Sequence, residues 1–140
     1  MNYEPLDHLS EAQTDDLIRM YHSEWWSEGR KPADVRRMLQ HTDVIVGLAE
    51  PSTGRLVAFA RVITDFVYKA LVLDVIVAAE HRDEGLGRAL MDHVVDHRRL
   101  ASVRHLELYC REEMIPFYER WGFRGVPEDV RFMRMTRDAD

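Results

Sequence analysis

Covalent staples are ruled out first. The chain holds one cysteine, Cys110, in 140 residues, so no internal disulfide can form. No apolar run approaches the ~20 residues that a membrane-spanning helix needs, and no segment has the charged-then-apolar pattern of a secretory leader. Both absences point to the cytoplasm and away from a membrane partner. Positive charge is in deficit: 19 Lys and Arg against 25 Asp and Glu leave a formal net charge of −6. Nucleic-acid binding favours basic surfaces, so that class is excluded as a general activity, while room is left for a cationic partner. Repeats and low-complexity tracts are also missing, and the expectation is one domain over residues 1–140, large enough to bury a core.

Hydrophobic patterning supplies the elements. A possible edge strand lies within Met1–Ser10. Ser10 or Thr14 can cap a first helix through Leu17, Ile18, Met20 and Tyr21 toward Trp25 and Trp26, broken by Gly29. Pro32 opens a short second helix. Val44–Ala49 and Leu56–Ile63 flank the turn Pro51-Ser-Thr-Gly54 as a hairpin. Ala70–Val77 is a strand, a helix follows from about Gly85 to Arg98, and His105–Cys110 is the next strand. Met114–Arg120 is a short helix, and Gly122-Phe123 and Arg131–Thr136 supply two last strands. The order αα-βββ-α-β-α-ββ is that of an α+β sheet with helices on its faces.

The most informative stretch is Val75-Ile-Val-Ala-Ala-Glu-His-Arg82-Asp-Glu-Gly85-Leu-Gly87-Arg-Ala-Leu90. An apolar run ends in a polar turn with two glycines two apart, and a helix begins with Leu86, Leu90 and Val94 on one face. Unpaired N–H groups in front of a helix dipole bind anions, most often phosphate or pyrophosphate. A triphosphate loop would need a lysine and a hydroxyl residue after its glycines, and neither is present. A dinucleotide fold would place three glycines early in an alternating βαβ chain, whereas this turn comes late, after a hairpin.

Other polar residues divide into candidates and bland placements. Asp74 lies in an apolar run, where a carboxylate is costly unless used or paired. Glu107 alternates with Leu106 and Leu108 and so faces solvent, and Asp65 precedes a turn. Cys110 has no His-Asp pair in sequence reach and reads as a small core residue. His93 and His97 are spaced i, i+4, as metal ligands can be, but no third ligand is evident and Asp92, Asp96, Arg98 and Arg99 flank them as on a solvated face.

Arg82-Asp-Glu-Gly85-Leu-Gly87 resembles the Arg/Gln-x-x-Gly-x-Gly/Ala signature of the GCN5-related N-acetyltransferases, the GNAT family. Phe117-Tyr-Glu-Arg-Trp-Gly-Phe123 resembles that family's Phe/Leu-Tyr-Glu-Lys-x-Gly-Phe segment. Phe59-Ala-Arg61-Val-Ile-Thr-Asp65 and Leu73-Asp74-Val75 look like a subgroup of small bacterial-type members with an aromatic-rich first helix. The chain departs from the pattern at Asp83, where many members carry glycine. It departs again at Arg111 and Met114, where many carry asparagine and alanine.

The resemblance implies a central mixed, mostly antiparallel sheet of six to seven strands with helices on both faces. It implies acetyl-CoA as co-substrate, no metal, and direct transfer in a ternary complex to a primary amine. By the same resemblance Arg82, Asp83, Glu84, Gly85, Leu86, Gly87 and Arg88 seat the pyrophosphate, with Arg111 and Phe117 as further coenzyme contacts. The amide around Ile76 or Val77 would bond the acetyl oxygen, and Tyr118 would donate a proton to the leaving thiolate. Asp74 would accept the amine's proton, directly or through water. The first two helices wall the acceptor site, which places Trp25, Trp26, Gly29 and Arg30 there. The tryptophans can form a slot for an ammonium, and Arg30 and Arg61 suit a substrate carboxylate, while the acidic net charge suits a polyamine or aminoglycoside. A small-molecule amine is the preferred acceptor. The alternatives are a protein lysine or N-terminus, or a non-catalytic acyl-CoA sensor. A homodimer through exposed C-terminal strands is a family habit.

Overall fold

The structure, a computed structural model, describes residues 2–127 and 129–137. Five strands, β1 (Glu4–Leu6), β2 (Val44–Ala49), β3 (Leu56–Thr64), β4 (Lys69–Val77) and β5 (His105–Glu107), form one sheet in chain order. The first three junctions are antiparallel and β4–β5 is parallel. Four helices complete the fold: α1 (Glu11–His22), α2 (Pro32–Gln40), α3 (Leu86–Val95) and α4 (Ile115–Glu119).

Local chemistry explains the helix ends. Ser10 accepts from the Gln13 N–H at 3.1 Å while the Gln13 side chain accepts from the Ser10 N–H at 3.0 Å, a reciprocal capping box. The same glutamine donates to the carbonyl of Gly54 at 2.9 Å, tying α1 to the β2–β3 turn. Pro32 starts α2 where a missing N–H costs nothing. α1 stops at His22, short of the tryptophan pair, and the Ser23 hydroxyl caps it by donating to the Met20 carbonyl.

Each face of the sheet has its own core. Val44, Val46, Leu48, Ala58, Ala60, Val62, Ala70 and Val72 pack beneath Leu86, Leu90, Met91 and Val94 of α3 and Tyr118 of α4. Leu17, Ile18, Met20 and Tyr21 of α1 and Val35 of α2 cover Leu56, Phe59 and Ile76 on the other. Full burial of such side chains contributes about 1.5–3 kcal/mol each.

β4 changes face partway along. Phe59 pairs with Ile76 and Arg61 with Leu73, so Asp74 and Val75 together oppose Ala60. This is a β-bulge, and Asp74 adopts φ +56 within it. Before the bulge Ala70 and Val72 face α3; after it Ile76 faces α1 and α2.

The strand count differs from expectation. Phe123 and Arg131–Thr136 join no ladder, β5 ends at Glu107 rather than Cys110, and the described sheet has five strands instead of six or seven. The C-terminal segment returns past the end of β5 through side chains: the rings of Tyr109 and Phe132 meet at 4.5 Å, and Arg134 lies over both. A groove of about 940 Å³ lies along that segment, lined by Leu106, Leu108, Tyr118, Phe123 and Val130. α3 is shorter than its apolar pattern, because the chain turns at Asp96 and tightens through Arg98–Leu100.

Candidate active site

β4 and β5 pair only from Lys69↔His105 to Leu71↔Glu107. Beyond Leu71 they diverge, leaving the edge of β4 from Val72 to Val77, which includes Ile76 and Val77, without a strand on that side. Backbone groups on such an open edge are available to a ligand.

The turn after β4 is built as its sequence implies. Gly85, with φ +77, is the N-cap of α3, and no side chain caps the helix. Among the described residues the backbone ladder resumes only at Ala89, whose N–H donates to the Gly85 carbonyl at 3.1 Å. The first-turn amides of Leu86, Gly87 and Arg88 therefore face outward at the positive end of the helix. Asp83 also lies in the left-handed region, φ +67, and its side chain is exposed. Glycine is favoured at such a φ. Glu84 turns toward the N-terminal strand, accepting from the Tyr3 hydroxyl at 2.7 Å and from His81 at 3.3 Å. The Tyr3 hydrogen bond first, and His81 second, hold its carboxyl below the usual range. Both carboxylates that flank this turn are thus exposed or occupied elsewhere. Phe117 packs against Gly87, where an added Cβ would meet its ring at 3.5 Å.

Tyr118 lies on α4, 9% exposed, with no described residue hydrogen-bonded to its hydroxyl. The indole of Trp121 donates to Asp92 of α3 at 2.7 Å, which fixes α4 against α3. Burial, followed by the neighbouring Cys110, pushes the phenol up to about 12. It remains a hydrogen-bond donor throughout the neutral range. Burial and Glu113 likewise push the exposed Cys110 thiol up, which disfavours the thiolate a nucleophile would need. Glu107 is paired with Lys69 at 2.9 Å. Asp65 accepts three backbone N–H groups of its own turn. His97 accepts from the Arg99 N–H.

Asp74 has the most crowded carboxylate in the molecule's interior. It accepts from the Tyr21 hydroxyl at 2.9 Å, from Arg30 at 2.6 and 3.2 Å, and from Arg61 at 2.7 Å. Burial alone would raise its pKa, but the hydrogen bonds and charge of the two arginines outweigh burial and hold it below the ordinary carboxylate value. Burial and the adjacent carboxylate drive the Tyr21 phenol upward. A carboxylate so occupied is a weak proton acceptor. Arg30 and Arg61 in turn are spent on Asp74, and Arg30 also lies over the rings of Tyr21 and Trp26 at 4.5 and 5.6 Å.

The loop after α1 brings the remaining candidates together. Trp25 is 65% exposed beneath the Arg111 guanidinium, 4.3 Å from its ring. Trp26 meets Tyr21 edge-on at 6.2 Å. Glu24 pairs with Arg82 across the cleft. Glu24 carries no signal in the sequence for this role. The one clue lies with Tyr21, a tyrosine on a buried helix face, whose hydroxyl must find a partner.

The acetyltransferase (GNAT) family matches residues 10–123. Serotonin N-acetyltransferase 2, chloroplastic, of Oryza sativa subsp. japonica is 37% identical over 110 residues, 77% of this chain and 55% of that protein. GCN5-related N-acetyltransferase 1, chloroplastic, of Arabidopsis thaliana is 32% identical over 108 residues, again 77% and 55%. The chain thus spans about half the length of these relatives. A crystal structure from Xanthomonas campestris pv. campestris, assigned to the GNAT family, superposes with a TM-score of 0.80 at 29% identity, covering 96% of this chain and 94% of that one. With the anion turn, the diverging β4 and β5 and the family match in agreement, the chain belongs to the GNAT family of acetyltransferases.

Proposed function

We propose that the protein transfers the acetyl group of acetyl-CoA to a primary amine of a small molecule, directly, within a ternary complex. The observation that carries this reading is the uncapped N-terminus of α3 on the left-handed Gly85, a seat for pyrophosphate beside the opening between β4 and β5. The neutral amine attacks the thioester carbonyl, the C–S bond breaks, and the nitrogen loses a proton. The β4 edge at Ile76 and Val77 would donate an N–H to the acetyl oxygen, and Tyr118 would donate a hydrogen bond to the departing sulfur. Asp74 then serves as a positioning group that holds Arg30 and Arg61, and solvent takes the amine's proton.

The exposed aromatic residues of the acceptor side, Trp25 and Trp26, favour an arylalkylamine. The rice relative named for serotonin supports that choice. The test is thiol release from acetyl-CoA at fixed concentration against arylalkylamines, amino acids, polyamines, aminoglycosides and lysine peptides. Release with small amines is expected. Release only with peptides would move the activity to protein acetylation, and tight coenzyme binding without release for any amine would make the protein a sensor.

A further inference from the structure

Glu24 has no part in the chemistry above, yet it holds the arginine that opens the anion turn. Its carboxylate is paired with Arg82, and the side chains are 19% and 52% exposed respectively. The next residue, Trp25, lies under Arg111. Two consecutive residues of the acceptor-side loop therefore occupy two of the three arginines expected on the coenzyme side, Arg82 and Arg111. The remainder of the loop is anchored independently. The Ser27 hydroxyl donates to the Tyr21 carbonyl at 2.7 Å, His22 bonds to the Arg30 carbonyl at 2.9 Å, and Arg30 is clamped on Asp74. Glu24 and Trp25 can thus let go while the rest of the loop keeps its anchors.

A carboxylate and a pyrophosphate are alternative ligands for the same guanidinium fork. We propose that Glu24 is a latch that changes partners. In the free protein it occupies Arg82 in place of the coenzyme's pyrophosphate; coenzyme binding draws Arg82 onto phosphate and frees Glu24, beside Trp25 and Trp26, to receive the acceptor's ammonium group. This rests on the coenzyme reading of the turn. Two ligands that bias one contact in the same direction strengthen each other's binding reciprocally, so the latch couples the two halves of the cleft through a single side chain.

A double-mutant cycle on coenzyme affinity tests it, using coenzyme A and calorimetry on the full chain. Glu24→Gln removes the competing charge and should tighten coenzyme A about fivefold, the upper end for an ion pair with one exposed partner. Arg82→Gln should weaken binding, and Glu24→Gln should have no further effect in that background. In amine kinetics Glu24→Gln should raise KM for the acceptor with kcat little changed. Unchanged or weaker coenzyme affinity in Glu24→Gln, or the same tightening with Arg82 absent, would overturn the latch while leaving the site intact. Equal affinity in wild type and Arg82→Gln would overturn both the latch and the assignment of Arg82 to the coenzyme.

Discussion

Asp74→Asn separates an anchor from a base. Asparagine tolerates left-handed backbone much as aspartate does, so the φ of +56 is preserved and the substitution removes the charge and one acceptor oxygen. It leaves Arg30 and Arg61, 31% and 15% exposed, facing each other without the carboxylate that each now contacts. Removing one partner of a buried ion pair costs about 3–5 kcal/mol. Partial access of water to Arg30 lowers the expectation to roughly 2–4 kcal/mol, or about 6–12 °C in Tm for a chain of this size. The wild-type carboxyl titrates below its ordinary value of 3.8. Its contribution is therefore full above the unfolded-state value and is lost as pH falls through the folded one. The difference between wild type and variant should be constant from neutral pH down to about pH 5 and shrink below about pH 4. Urea midpoints followed by tryptophan fluorescence at each pH give the measurement. If the unfolding free energy from those midpoints stays within about 0.5 kcal/mol of wild type while turnover collapses, Asp74 is a proton acceptor and the anchoring role is wrong.

Gly85 and Gly87 should respond unequally. Gly85→Ala forces a side chain onto φ +77 and should lose about 1 kcal/mol of stability along with coenzyme affinity. Gly87→Ala meets only an ordinary 3.5 Å contact with Phe117, so thermal melting should barely move. Tyr118→Phe should lower kcat and leave coenzyme affinity nearly intact. Because the phenol is held up at about 12, the shape of the pH–rate profile through the neutral range should survive; unchanged turnover would remove the hydroxyl from the reaction.

Local signals were sufficient where structure is local. The hairpin over Val44–Ala49 and Leu56–Thr64, the Ser10 cap, and the glycine turn into α3 all follow from spacing within a few residues. The acceptor side follows from contacts that no spacing displays. Asp74 meets Tyr21 and Arg30, 53 and 44 residues away, and Glu24 meets Arg82 across 58. Arg30 and Arg61 look free in the sequence for a substrate carboxylate because their protein carboxylate sits on another strand. The C-terminal pattern misled as well: Phe132 and Met135, within the expected strand Arg131–Thr136, join no ladder, and the segment meets the chain after β5 through the rings of Phe132 and Tyr109.

The bulge in β4 has a consequence for how this strand tolerates change. Because Asp74 and Val75 share one opposing residue, the alternation shifts by one place: Ala70 and Val72 before the bulge and Val75 and Val77 after it pack toward α3, while Ile76 packs toward α1. Its near-unbroken apolar composition reflects a core on each face of the strand. Deleting Val75 would restore simple alternation with Ile76 still opposite Phe59, and would turn Asp74 toward α3, away from Tyr21, Arg30 and Arg61. One surplus residue thus decides which layer receives the carboxylate.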